Sequence, residues 1–253
     1  MTMAMTASPV QRKPELLGQT VVIIGGSAGI GLETARRAAA EGAKLILTGR
    51  NPESLQRVAK ELDALSTASF DATDSALLEQ FFRALPSPVD HVMVTAGRPY
   101  YGRLIDMDFA RMPHALDEHL MLFVNVARSA VQKVRPGGSL VFMGGTGSRR
   151  PAIGLGVAST VTIAMPALTA NLALEIAPIR VNLIAAGFVD TPLSASLLGD
   201  DLEKRRNQLR TNLPIRRVVQ PEDVSALAVH LMINTALTGA TYDIDGGQQF
   251  VAA

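Results

Sequence analysis

Residues 20–31 read TVVIIGGSAGIG, and this stretch decides the fold. Its first half is a β-branched apolar run, the composition of a strand covered on both faces. Gly25, Gly29 and Gly31 follow at once, at the mouth of a segment with helical character over Ile30–Glu41. Glycine at these places permits a tight turn, brings backbone N–H groups up to a pyrophosphate, and lets the helix lie close to the sheet. Ser27 and Ile30 sit within the same turn and complete its expected contact set. A glycine triplet alone is a weak sign; strand, triplet and helix in this order are a specific one.

Outward from that turn the pattern repeats. Buried-strand candidates are Thr20–Ile24, Lys44–Thr48, Ala68–Phe70, His91–Thr95, Ser139–Met143, Arg180–Ala185 and Ala240–Asp243. Helix candidates fall between them at Ile30–Glu41, Pro52–Leu62, Asp74–Leu85, Leu116–Arg135, Val157–Ala177 and Pro221–Ile233. Strands alternating with helices predict an α/β fold: one doubly wound parallel sheet of about seven strands, a Rossmann fold, with helices on both faces. Residues 1–14 carry no usable period and are expected to form a flexible arm; residues 15–253 form the domain. The polar stretch Asp190–Pro214 follows the sixth strand, at the sheet edge where ligands bind, and is expected to be a lid of about residues 190–214.

The second strand ends LILTGRN, with Gly49 and Arg50 where an NAD site commonly places a carboxylate for the ribose hydroxyls. Arg50 is suited to a charge-assisted contact with a 2′-phosphate, which favours NADP(H) over NAD(H). The balance of charge excludes other classes. With 24 Lys+Arg against 23 Asp+Glu there is no basic stripe for nucleic acid. No stretch approaches the roughly 20 continuous apolar residues of a membrane span, so neither partner is expected and a cytoplasmic location is. With no cysteine and four scattered histidines, no metal site is expected.

These segments resemble the classical short-chain dehydrogenase/reductases, from about Leu17 to the C-terminus. GGSAGIG is similar to that family's cofactor turn. Asp71, with Ala72 beside it, resembles the acid placed next to adenine, and Thr95-Ala96-Gly97 resembles the Asn-Ala-Gly segment after the fourth strand. Asn125 in LFVNVARSA resembles the helix Asn of the catalytic tetrad. IRVNLIAAGFVDTPL, Ile179–Leu193, resembles the segment before the lid, which implies that Gly187, Val189 and Thr191 meet the nicotinamide end. Asp245-Gly246-Gly247 resembles the C-terminal signature, usually near a subunit interface. The resemblance implies a homotetramer or homodimer built on the long helices.

The catalytic part departs from the pattern. The family uses a Tyr four residues before a Lys, and a Ser upstream. The three tyrosines, Tyr100, Tyr101 and Tyr242, are followed four residues on by Leu104, Ile105 and Gly246. Registered on Leu172–Glu175, the Ser, Tyr and Lys positions fall on Gly145, Ala158 and Thr162, none of which supplies the missing acid or cation. Tyr100 and Tyr101, after the fourth strand, are the best substitutes for the lost proton donor, although packing in a substrate wall suits them better. Thr146, Ser148, Ser159, Thr160 and Thr162 offer hydroxyls for hydrogen bonding. His119 lies six residues before Asn125, about 120° around an ideal helix, so the two are not expected in one pocket. All four histidines are expected at solvated or interface positions.

Three functions follow: an NADP(H)-dependent oxidoreductase with a non-standard active site, a non-catalytic NADP(H)-binding protein, or a lyase or isomerase in the same pocket. Leu197, Leu198 and Leu202 in the lid point to a partly apolar small-molecule substrate.

Overall fold

Val21 to Ile24 are fully buried, their side chains alternating between two core layers as strand geometry requires. The computed structural model describes residues 13–251, so the arm expected at residues 1–14 falls, for 1–12, outside the described residues. Seven strands are present: β1 (Thr20–Ile24), β2 (Lys44–Gly49), β3 (Ser66–Ser69), β4 (Val89–Val94), β5 (Val134–Gly145), β6 (Arg180–Ala186) and β7 (Thr241–Ile244). They form one parallel sheet in the order 3-2-1-4-5-6-7. The winding reverses between β1 and β4, and there the crevice beyond the strands' carboxyl ends opens.

The helices are α1 (Gly29–Ala40), α2 (Pro52–Glu61), α3 (Ser75–Ala84), α4 (Met112–Leu116), α5 (Leu122–Ala130), α6 (Gly156–Glu175), α7 (Pro192–Leu198), α8 (Leu202–Asn212) and α9 (Pro221–Ile233). One layer packs Val22 and Ile24 with Leu78, Phe82, Val126 and Met165 of α3, α5 and α6. Phe123 stacks on Phe142 there, ring centroids 4.1 Å apart. The other layer packs Val21 and Ile23 with Ala35, Ala38, Val224 and Ala228 of α1 and α9. Each fully buried side chain of this size contributes roughly 1.5–3 kcal/mol.

Two buried polar residues lock the sheet. Arg180 lies across the end of α9 and donates to the carbonyls of Leu231 and Met232, both at 2.7 Å, and to those of Asn234 and Leu237. A cation at a helix C-terminus satisfies carbonyls that lack intrahelical partners and matches the helix dipole. His91 is not at the solvated or interface position expected of it. It is 1% exposed in β4, with Nδ1 2.8 Å from Ser139 Oγ and Nε2 2.8 Å from Gln19 Oε1.

The largest departure from the sequence expectation is at Leu116–Arg135. The single long helix is instead α4, a π-helical turn over Asp117–Met121, and α5 ending at Ala130. Pro136 has no N–H to continue a helix, and β5 already begins at Val134, paired with Val89. The register shifts before His91, where Gly138 lets the chain pass so close that a Cβ would stand 2.4 Å from Asp90 O. β3 lies a step earlier than expected, and in its run STAS only Ala68 is apolar, a weak strand signal. Asp190–Pro214 is largely two helices, α7 and α8.

α6 is long and apolar enough, by length and composition, to cross a bilayer, a feature the sequence reading missed. Here Val161, Met165 and Leu172 pack it onto the sheet, and Ile163 and Leu174 stay exposed.

Candidate active site

Between β1 and α1 the glycines make room that side chains would fill. A Cβ on Gly31 would stand 2.2 Å from Gly25 O, and one on Gly25, at φ 98°, would stand 2.7 Å from Thr95 Oγ1. Thr95 Oγ1 donates to Gly25 O at 3.0 Å and lies 3.2 Å from Ile24 O, tying the end of β4 to this turn. Ala28, at the N-cap of α1, makes no side-chain cap, and the first turn carries no acid. The leading N–H groups are therefore left to an anion from outside the helix. Ser27 Oγ lies where a Cβ on Gly49 would come within 2.8 Å, so the missing side chain at the end of β2 lets the turn close over it.

The turn opens into a cavity of about 690 Å³. Gly25, Gly29, Ile30 and Gly31 line one end, joined by Ala96 and Gly97 from the loop after β4 and by Gly187, Val189 and Thr191 from the loop after β6. Ser27, Arg50, Asp71 and Ala72 are not among its lining residues; they lie along the neighbouring strand ends. Thr73 N–H and Oγ1 donate to Asp71 Oδ1 at 3.0 and 2.8 Å. Burial pushes the Asp71 carboxyl up, but these bonds and the Arg50 charge outweigh it and hold the pKa below the usual value.

Across the cavity stand Gly145, Ala158 and Thr162. Thr162 Oγ1 turns back to its own helix and donates to Ala158 O at 3.0 Å; Ser159 donates to Gly147 O and Thr160 to Gly156 O. These hydroxyls are spent on backbone. Tyr100 and Tyr101 both line the cavity, as expected from their loop. Tyr101 is 51% exposed as a residue, yet the atoms around its ring desolvate the phenol and raise it above its ordinary pKa, which makes it a weaker acid.

Asn125, expected to reach the cleft, is not among its lining residues; Ala115 and His119 are. The π turn at Asp117–Met121 breaks the 3.6-residue phase used to set His119 away from the pocket, so the correction for His119 has a local cause. His119 is half-buried against the loop after β4, its Nε2 3.2 Å from where a Gly97 Cβ would lie, and its buried Nδ1 has no hydrogen-bond partner. Burial holds its pKa below the ordinary value, against the pull of Glu118. The side chain of His114 lies outside what the structure describes.

α7, and α8 through Arg205, contribute to the cavity wall. Thr191 caps α7, accepting from Ser194 N–H at 3.1 Å. Arg206 of α8 grips Asp190 through two bonds, of 2.9 and 2.7 Å. Leu193, Leu197 and Leu198 line the cavity, whereas Leu202 does not. Arg150 and Arg205 also line it and escaped the sequence reading, although Arg150 follows a strand end on the ligand side of the sheet.

Residues 25–249 match the family model described as Enoyl-(Acyl carrier protein) reductase. The chain belongs to the short-chain dehydrogenase/reductase family. Dehydrogenase/reductase SDR family member 4 of Sus scrofa is 30% identical to this short-chain dehydrogenase/reductase, over 96% of this chain and 91% of its own. Among solved structures, a small-chain dehydrogenase in complex with NADPH matches with TM-score 0.79 at 26% identity, covering 92% of this chain and 99% of its own. BdcA in complex with NADPH matches with TM-score 0.83 at 25% identity, covering 92% and 95%. This member is thus an oxidoreductase of short-chain dehydrogenase/reductase type.

Proposed function

We propose that this protein is an NADP(H)-dependent oxidoreductase whose active site lacks the family's Ser, Tyr and Lys. One observation carries the reading: the uncapped, glycine-built start of α1 opens into a cavity of about 690 Å³ with no Asp or Glu lining it among the described residues. Bare N–H groups and absent carboxylates fit a pyrophosphate. The NADPH complexes of two structural relatives support the same group here. Gly25, Ser27, Gly29, Ile30 and Gly31 would hold the pyrophosphate end, Arg50 the 2′-phosphate, Asp71 and Ala72 the adenine end, and Ala96, Gly97, Gly187, Val189 and Thr191 the nicotinamide half.

When bound, the nicotinamide supplies or takes a hydride. The chain's own residues position a substrate and exclude water beneath α7 and α8, which act as the lid. Gly145, Ala158 and Thr162 stand at the Ser, Tyr and Lys positions. Hydride transfer then suits a substrate that needs little help from a protein acid. Loss of a general acid costs roughly 10²–10⁴-fold in rate, so turnover is slow but measurable.

A non-catalytic NADP(H)-binding role is the second reading, favoured by Gly145, Ala158 and Thr162, which bring neither an acid nor a cation to the cavity wall, the Thr162 hydroxyl being bonded to Ala158 O. Following NADPH oxidation with carbonyls, imines and enones separates the two. Consumption with one class supports the enzyme; binding without consumption supports the second reading. Tyr100→Phe and Tyr101→Phe leave the rate within about threefold if neither is the acid. Exposed Ile163 and Leu174 on α6 further support a homodimer or homotetramer through this helix.

A further inference from the structure

The arginines of the loop after β5 and of α8 fall into two groups. Arg149 pairs with Asp243, Arg206 with Asp190 and Glu203, and Arg210 with Glu203. Arg150 and Arg205 have no carboxylate within ion-pairing distance among the described residues. Both are half-buried and both line the cavity, Arg150 from the loop between β5 and α6, Arg205 from α8. Each is steadied by a neutral acceptor: Arg150 Nη1 donates to Gln248 O at 3.1 Å and Arg205 Nη1 to Gln208 Oε1 at 2.7 Å. Each guanidinium carries five N–H donors, so most are left for a ligand.

Such an arrangement is costly without a ligand. Burial, and then the charge of Arg150, hold Arg205 below its ordinary pKa, so the two cations feel one another. Two partly desolvated like charges beside a cavity that no acid lines among the described residues call for an anion between them. The adjoining walls, Leu155, Leu193, Leu197 and Leu198, are apolar.

We propose that Arg150 and Arg205 clamp an oxyanion, a carboxylate or a phosphate, carried by the substrate, whose apolar body lies against these leucines. A guanidinium fork matches either group bidentately. The proposal deepens the oxidoreductase reading and rests on it for the placing of the nucleotide at the glycine turn.

Calorimetric titration with benzoate, phenyl phosphate and neutral benzamide, with and without NADPH, tests it. At least one anion binds about tenfold or more tighter than benzamide, the scale of one charge-assisted contact. Preference for benzoate assigns a carboxylate, and preference for phenyl phosphate a phosphate. Arg150→Gln and Arg205→Gln each cut that preference at least about threefold, while NADPH affinity stays within about twofold. The single variants carry the test if the double variant fails to fold. Equal binding of all three probes, no binding of any, an undiminished preference in both variants, or a parallel loss of NADPH affinity overturns the clamp. If NADPH fails to bind while the arginine-dependent preference persists, the cofactor reading falls and the clamp stands.

Discussion

Gly145 and Thr162 face one another across the inner wall of the cleft: a Cβ on Gly145 would stand 3.4 Å from Thr162 Cγ2 and 3.5 Å from Ala186 O. Both are ordinary van der Waals separations, so a Cβ would fit at Gly145 without displacing its neighbours. The Thr162 hydroxyl is turned into its own helix. The wall therefore shapes the cavity without presenting an acid or a cation to it.

That room at Gly145 makes activity recoverable. Gly145→Ser, Ala158→Tyr and Thr162→Lys together should raise NADPH-dependent reduction of an activated ketone by about 10²-fold or more. Ala158→Tyr alone should gain far less, because a phenol without a neighbouring cation keeps its ordinary pKa of about 10. Steady-state rates check this. A folded, NADPH-binding triple variant no faster than the parent would show that these three residues are not at the catalytic positions.

Arg50 should discriminate between the two dinucleotides. Arg50→Ala is expected to weaken NADPH at least about tenfold and NADH by less than about threefold, since only the former offers a 2′-phosphate. Fluorescence titration of the variant reads both. Equal losses would reject the role.

His91 predicts a stability profile. Burial lowers its pKa to about 3, the nearby Asp90 only partly opposing this. The unfolded chain therefore binds a proton near pH 6.5 that the folded chain refuses. Stability from this group is whole above pH 6.5 and declines as pH falls toward 3, at up to about 1.4 kcal/mol per pH unit. His119, lowered in the same direction, adds to the slope. Denaturant unfolding of His91→Gln should show a shallower decline between pH 6.5 and 4.5; an unchanged slope would contradict the burial argument.

Arg180→Met should destabilise the fold by at least about 3 kcal/mol, because charged hydrogen bonds contribute about 1.5–3 kcal/mol each and several carbonyls at the end of α9 lose their donor. Thermal and denaturant unfolding measure it. A loss below about 1 kcal/mol would mean that water takes over the same carbonyls.

What the sequence made legible was local. The run Val21–Ile24 and the glycines after it specify strand, turn and helix through neighbours a few residues apart, and the structure repeats them almost residue for residue. The start of β3 was set too late because three of its four residues are Ser or Thr, and α8 escaped because LEKRRNQLRTN carries little besides Leu209 to mark a buried side. His119 was misplaced for a different reason: counting at 3.6 residues per turn fails across a π turn, and nothing in DEHLM announces one. Arg150 and Arg205 could not be paired beforehand, since 55 positions separate them and only the folded chain brings both to one cavity.

Direct titration of the protein with NADPH and with NADH, followed by nicotinamide fluorescence, tests the central claim. The account predicts micromolar binding of NADPH and a dissociation constant for NADH at least about tenfold higher, or about 1.4 kcal/mol. Equal affinity for the two, or binding of neither, would contradict it.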